Sequence, residues 1–60
     1  SNFLTEIRME NARELLRTTD MKMYEISERV GYNSVEHFNR MFKKVCGVSP
    51  SVYKRQILQI

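Results

Sequence analysis

Apolar residues recur at helical spacing in four stretches of the chain, and no stretch shows the alternation expected of a β-strand. The longest stretch contains neither Gly nor Pro and predicts a helix about 24 Å long at 1.5 Å per residue. The pattern therefore predicts an all-α fold of four short helices, over residues 3–18, from Met23 to Val30, over residues 34–46, and from Pro50 to about Leu58.

The helix predicted over residues 34–46 has one apolar side and one basic side. At about 100° per residue, its apolar side gathers Val35, Phe38, Met41, Phe42 and Val45. Either Asn33 or Ser34 can serve as its N-cap, and Asn33 with Glu36 has the spacing of a capping box. Gly47 supplies a residue that can adopt the left-handed conformation at the helix end.

The first helix has two apolar faces about 100° apart. One comprises Leu4, Ile7 and Leu15, and the other comprises Met9, Ala12 and Leu16. Two interpretations stay open at this stage. Either the second face packs against a part of a larger protein, or both belong to one broad buried face of a small bundle.

The connections between helices differ in how well their residues suit helix ends. Lys22 stands at the expected start of the second helix and is a poor N-cap. Gly31 is expected to end that helix, with Tyr32 as an anchored turn residue. Ser49 and Pro50 suit the N-cap and the first position of the last helix.

Charge is distributed unevenly along the chain, whose net charge is +3 at pH 7. Residues 1–30 carry five basic and six acidic groups, whereas residues 31–60 carry five basic groups and one acidic group. The second half is therefore expected to face a polyanion. On charge alone, a basic surface that contacts only solvent is the alternative.

The sequence does not favour an enzyme, a metal site or a bound cofactor. His37 and Cys46 lie nine residues apart on one predicted helix, and no third group completes a nucleophilic pair with them. Structural zinc needs about four ligands, which one His and one Cys do not supply. The remaining sulfur-containing side chains are expected to be core residues: Met9, Met21, Met23 and Met41.

The location expected from the sequence is the cytoplasm, without membrane contact. A single cysteine cannot form an internal disulfide and is compatible with a reducing compartment, where Cys46 is expected to be a half-buried thiol. No run of residues approaches the ~18 apolar positions that a membrane span needs.

Two short helices joined by a tight glycine turn, the second with an exposed basic side, are typical of a helix-turn-helix, here over residues 22–46. In that motif the second helix enters the major groove of DNA and its N-terminal residues reach base edges. Phe38 and Phe42 are expected to hold this helix against its support. Ser27 is small where the two helices are expected to cross.

These residues resemble the C-terminal signature of the AraC/XylS family of bacterial transcription regulators. Nearly the whole chain is covered without gaps. The resemblance rests on Ile26-Ser27, Val30-Gly31-Tyr32, Phe38, Arg40, Phe42-Lys43-Lys44, Gly47, Ser49-Pro50 and Tyr53-Lys54. Arg8-Met9, Ala12 and Leu15-Leu16 stand where the family has its linker helix. Three residues depart from the pattern, since Ser27, His37 and Lys22 stand where alanine, an aromatic residue and a better helix cap are common.

The resemblance implies a single helical subdomain, residues 1–60, that is half of the family's DNA-binding unit. Its parts would be a linker helix at 3–18, a helix-turn-helix at 22–46 and a C-terminal helix at 49–58. Such units carry two helix-turn-helix subdomains that insert helices into successive segments of the major groove. The implied partners are double-stranded DNA and the first helix-turn-helix subdomain, and the implied function is sequence-specific DNA binding in transcription regulation.

The family's base contacts, carried over position by position, fall on Val35, Glu36, His37 and Arg40. Arg40 can pair with guanine or hold a phosphate, Glu36 can accept a hydrogen bond from a cytosine amino group, and Val35 can contact a thymine methyl. For Glu36, the capping box with Asn33 is an equal alternative. Phosphate contacts are expected from Ser34, Asn39, Lys43, Lys44 and Ser49.

A protein-interaction module is the alternative function. A small helical domain with a spare apolar stripe and a basic patch can dock on an acidic surface, such as that of an RNA polymerase subunit. DNA would engage residues 33–44, whereas a protein partner would engage the apolar faces of residues 3–18.

Overall fold

The structure, a computed structural model, describes residues 2–58, and within that range it contains four helices and no strand. The ends of the predicted subdomain, Ser1 and residues 59–60, lie outside the described residues. The all-α prediction is confirmed, with the helices α1 (Phe3–Thr18), α2 (Met23–Arg29), α3 (Val35–Cys46) and α4 (Pro50–Leu58). Both α1 and α3 pack against each of the other three helices, so these two helices lie at the centre of the arrangement.

The core lies where the inner sides of the four helices meet. Its buried apolar residues are Met9, Ala12, Leu16, Ile26, Val30, Tyr32, Phe38 and Phe42. Partly buried residues packed against them include Leu15, Met21, Met23, Met41, Cys46 and Tyr53. All four methionines therefore belong to the core or its edge, as predicted, and Cys46 is the half-buried thiol expected at the end of α3.

The two apolar faces of α1 have different surroundings. Met9, Ala12 and Leu16 are buried in the core. The other face is exposed at the start of the helix, where the exposed fractions are 78% for Phe3, 52% for Leu4 and 41% for Ile7. The interpretation that both belong to one broad buried face is therefore wrong. The described chain is too small to cover both sides of α1.

Both ends of α1 have side-chain caps. At its start, the Asn2 Oδ1 accepts hydrogen bonds from the backbone N–H groups of Leu4 and Thr5, at 2.8 and 3.4 Å. At its end, the Lys54 ammonium of α4 donates to the carbonyl oxygens of Leu16 and Thr19, at 3.3 and 2.7 Å. This contact joins α4 to α1. It also supplies a hydrogen-bond donor to carbonyl groups at the helix end, which have no donor within the helix.

The start of α2 is as weakly capped as its sequence predicts. Lys22 is the N-cap and its side chain makes no capping bond, since an ammonium has no acceptor. The Glu25 carboxylate accepts from the Lys22 backbone N–H at 2.9 Å, so half of a capping box is present. The helix ends at Arg29, with Val30 as its C-cap, one residue earlier than predicted.

The start of α3 settles which residue caps it. Ser34 is the N-cap, and its Oγ accepts from the His37 backbone N–H at 3.1 Å. The predicted capping box of Asn33 and Glu36 is therefore wrong, because Glu36 occupies the second helical position rather than the third. At the other end, Gly47 has φ +87° and closes the helix as predicted.

The start of α4 follows its prediction. The Ser49 Oγ accepts from the Val52 backbone N–H at 3.3 Å, and Pro50 occupies the first helical position. A missing N–H costs nothing at that position.

Val45 departs from its predicted core position, since 40% of its surface is exposed. It lines a shallow groove beside Asn2 and Thr5, at the start of α1. Val45 lies on the inner side of α3 by its angle around the helix axis. It is on the last turn, however, beyond the residues that cover Phe38 and Phe42.

Candidate nucleic-acid interface

The inner side of α3 is held by aromatic contacts. Phe38 and Phe42 are both fully buried, with their ring centroids 5.8 Å apart. Phe42 meets the Tyr53 ring of α4 at 5.6 Å, and Phe38 meets the Tyr32 ring at 5.8 Å. The two phenylalanines therefore fix the helix between the turn before it and the helix after it, as the sequence predicted.

The opposite side of α3 is exposed and carries a net positive charge. Its exposed residues are Glu36, His37, Asn39, Arg40, Lys43 and Lys44. Among the predicted base-reading residues, the structure brings three onto this side: Glu36, His37 and Arg40. They occupy the first two turns of the helix, which is the part that reaches base edges in a helix-turn-helix.

Val35 lies apart from the other predicted base-reading residues. It is half-buried, and at 100° per residue it lies about 140° around α3 from Arg40. It therefore forms the edge between the inner and outer sides.

The predicted phosphate contacts are spread over two helix starts and the outer side of α3. Asn39, Lys43 and Lys44 are exposed along the helix. Ser34 is exposed at its N-terminus, whereas Ser49 is half-buried at the start of α4. Each serine oxygen already accepts a backbone N–H, so each keeps its hydroxyl proton for a further acceptor.

The turn before α3 contains Tyr32, whose ring contacts two residues that the sequence did not connect with it. The Arg8 guanidinium of α1 lies 5.4 Å from the Tyr32 ring centroid, in a cation–π contact. The Tyr32 ring meets the His37 ring at 5.2 Å, with the ring planes 86° apart. Tyr32 was predicted as an anchor, but neither of these partners was.

Another contact of α1 reaches the last turn of α3. The Arg13 guanidinium donates to the Glu10 carboxylate and to the Cys46 Sγ, the latter at 3.0 Å. The hydrogen bond with Glu10 raises the pKa of Arg13 above its ordinary value, with a smaller contribution in the same direction from Cys46. The two hydrogen bonds of Arg13 tie the C-terminal turn of α3 to α1.

Within residues 2–58, no three His, Cys, Asp or Glu side chains come together in a group that could hold a metal ion. No helix in this range is both long and apolar enough to cross a membrane.

A short helix, a tight turn and a second helix with a buried aromatic side and an exposed basic side define a helix-turn-helix domain. The family described as a helix-turn-helix domain matches the chain over residues 1–56. Together with the relatives below, this match shows that the chain belongs to the AraC family of transcription regulators, whose helix-turn-helix domains bind DNA.

Two curated relatives illustrate the family. The transcriptional activator NphR of Rhodococcus sp. is 38% identical over 58 residues, which are 97% of this chain and 17% of NphR. The HTH-type transcriptional regulator YdiP of Escherichia coli K12 is 44% identical over 55 residues, which are 92% of this chain and 18% of YdiP. The chain thus spans less than a fifth of either relative.

Solved structures support the same assignment. The C-terminal domain of AraT, a response regulator from Geobacillus stearothermophilus, has a TM-score of 0.85 and 52% identity, over 87% of this chain and 43% of that domain. The C-terminal domain of the response regulator yesN from Fusobacterium nucleatum gives the same TM-score and 44% identity, over 87% of this chain and 50% of that domain. The chain is therefore similar to about half of each domain.

Proposed function

We propose that α3 inserts into the major groove and reads base edges from its first two turns. The observation that carries this proposal is the division of α3 into a fully buried aromatic side and an exposed basic side. A helix held rigidly on one side can present the other in a fixed register, and arginine and lysine on that side attract the phosphate backbone.

Arg40, Glu36 and His37 form the centre of the proposed base-reading surface. Arg40 is the donor for guanine, and Glu36 is the acceptor for a cytosine amino group. Because Ser34 caps the helix, the Glu36 carboxylate is not engaged in a capping box with Asn33 and is available for a base. Val35, at the edge of the outer side, contributes at most a methyl contact.

Phosphate contacts flank this centre. Asn39, Lys43 and Lys44 extend along the exposed side, and Ser34 lies at the helix start. Ser49 contributes through its hydroxyl proton and through the first amides of α4, where the helix dipole favours an anion. These contacts position the helix and carry no sequence information by themselves.

We assign the exposed face of α1, formed by Phe3, Leu4 and Ile7, to the first helix-turn-helix subdomain of a larger cytoplasmic regulator. The assignment is supported by the chain's match to about half of two C-terminal domains. Isolated apolar residues on a surface are ordinary, but three on adjacent turns of one helix indicate an interface. In this arrangement α1 connects the two subdomains and DNA is bound at two successive groove segments. Contact with RNA polymerase stays a prediction of the sequence alone.

The test is an amide NMR titration of the 60-residue chain with a short duplex of arbitrary sequence. We expect chemical-shift changes concentrated at residues 33–44 at low salt, which fade as salt is raised. The affinity should be near the non-specific range of ~10⁻⁴ to 10⁻⁶ M at physiological salt. A folded chain whose residues 33–44 do not respond would refute the proposal.

Arg40→Ala and Arg55→Ala provide a matched pair for this titration, since both arginines are exposed and Arg55 lies on α4. We expect Arg40→Ala to weaken binding at least several-fold, while Arg55→Ala leaves it close to that of the unchanged chain. Equal losses would mean that binding reflects overall charge and not the outer side of α3.

A further inference from the structure

Arg8 differs from the other two arginines of α1 in what it contacts. Arg13 and Arg17 pair with the glutamates three positions before them, Glu10 and Glu14. The four positions three or four residues from Arg8 carry no acidic residue; they are Leu4, Thr5, Asn11 and Ala12. The Arg8 guanidinium lies instead over the Tyr32 ring, in the turn that leads into α3.

Gly31 makes room for this arrangement. It has φ +105°, a conformation that residues with a side chain rarely adopt. A Cβ atom at this position would also lie 3.0 Å from the Arg8 Nε. The turn therefore accommodates the guanidinium because residue 31 has no side chain.

The Tyr32 ring connects Arg8 to the outer side of α3. It is buried, with one neighbour in the core, Phe38, and one on the exposed first turn of α3, the His37 ring at 5.2 Å. The His37 backbone is fixed independently by the Ser34 cap. What the Tyr32 contact adds is a preferred orientation of the imidazole.

We propose that Arg8 is a positioning residue for DNA recognition, which holds the Tyr32 ring where that ring orients His37 towards the groove. The inference rests on the proposed function of α3. If the inference holds, α1 does more than connect two subdomains, because its Arg8 side chain influences how α3 presents His37 to a base.

The first measurement concerns the free 60-residue chain and needs no DNA. Arg8→Met removes the guanidinium and keeps the aliphatic length, and Arg17→Met is the matched control on the same helix. We expect the His37 ring proton signals to shift in Arg8→Met, because the Tyr32 ring current on them changes, and to stay unchanged in Arg17→Met. If Arg8→Met does not fold, Arg8→Lys, which keeps a cation without the flat guanidinium, is read in the same way.

The second measurement uses the arbitrary duplex at several salt concentrations. We expect Arg8→Met to bind about two- to ten-fold more weakly than Arg17→Met, because a His37 side chain that is no longer held in place must be ordered when DNA binds. The slope of log affinity against log salt should be the same in both variants. A phosphate contact made directly by Arg8 would instead reduce that slope by about 0.9 in Arg8→Met alone.

Unchanged His37 ring signals in Arg8→Met would overturn the inference, and so would a reduced salt slope. If the unchanged chain does not bind DNA through residues 33–44, the proposed function fails, and with it the recognition role of Arg8. If the unchanged chain binds and Arg8→Met binds equally well, only the positioning role fails.

Discussion

The two sides of α3 separate packing in the core from the proposed DNA recognition, even between adjacent residues. Phe42 is fully buried between two aromatic rings, and Lys43, the next residue, is exposed. The difference teaches that one short helix can be held rigidly and still expose side chains for a ligand, because its buried aromatic contacts lie on one side. Substitutions on the inner side should therefore change stability, and those on the outer side should change DNA affinity.

The largest effect is expected on the inner side, from Phe42→Ala. Truncation of a buried phenylalanine costs about 3–5 kcal/mol. A domain this small has a stability near the lower end of ~5–15 kcal/mol, so most of its free energy of unfolding should be lost. Chemical denaturation followed by circular dichroism measures this change. Val45 lies on the same helix but is partly exposed, so Val45→Ala should cost less than about 1 kcal/mol. Equal costs for Phe42→Ala and Val45→Ala would contradict the idea that the stability of the domain depends on the buried side of α3.

The close packing of α2, the helix that precedes the turn into α3, is tested by Ser27→Leu. Ser27 is buried and its hydroxyl donates to the Tyr24 carbonyl oxygen at 2.9 Å. A leucine at this position should overpack the site and cost about 1–3 kcal/mol. The thermal midpoint should fall accordingly, while Ser51→Leu, at an exposed serine of α4, should leave it nearly unchanged. A Ser27→Leu variant that keeps its midpoint would refute the close packing of α2.

The start of α3 is tested by Ser34→Ala against Asn33→Ala. Loss of an N-cap side chain costs about 1 kcal/mol. Since the Ser34 Oγ makes the capping bond, Ser34→Ala should show this cost in denaturant titrations and Asn33→Ala should cost only a few tenths of it. The reverse order would mean that Asn33 is the cap in solution.

The smallest effect on stability, and a clear effect on binding, is expected from Lys43→Gln on the outer side. Its free energy of unfolding should stay within about 0.5 kcal/mol of that of the unchanged chain. The salt slope of DNA affinity should fall by about 0.9, and equally for duplexes of different sequence. Arg17→Gln, on α1, should leave the slope unchanged. A loss confined to some sequences would show that Lys43 reads bases.

The helices were predictable from the sequence because their signals are local. Periodicity over residues 3–18 gave α1 its observed bounds, and the Ser49-Pro50 pair marked the start of α4. The choice between Asn33 and Ser34 was not predictable, since both are good N-caps and only the backbone geometry decides which one occupies the position.

Periodicity also could not show how far along a helix its neighbours extend. It placed Val45 at the right angle, but it contains no information on whether another helix covers the last turn of α3. The same limit applies to Ile7, whose apolar spacing is as regular as that of the buried Met9. For both, burial depends on elements far away in the chain.

The candidate site was predictable where it depends on one helix. The exposed side of α3 follows from the periodicity, although its DNA contacts stay proposals. The contacts of Arg8 with Tyr32 and of Arg13 with Cys46 join residues 24 and 33 positions apart, so no local pattern contains them. The lack of an acidic residue three or four positions from Arg8 was an available signal that its charge is used elsewhere.

The contact of Lys54 with the end of α1 has a consequence for synthesis on the ribosome. The carbonyl groups of Leu16 and Thr19 leave the ribosome 35 or more residues before the ammonium that bonds to them. Until α4 follows, neither carbonyl has the Lys54 donor, and we expect the end of α1 to be less stable. We therefore expect the nascent domain to close late, when α4 joins α1.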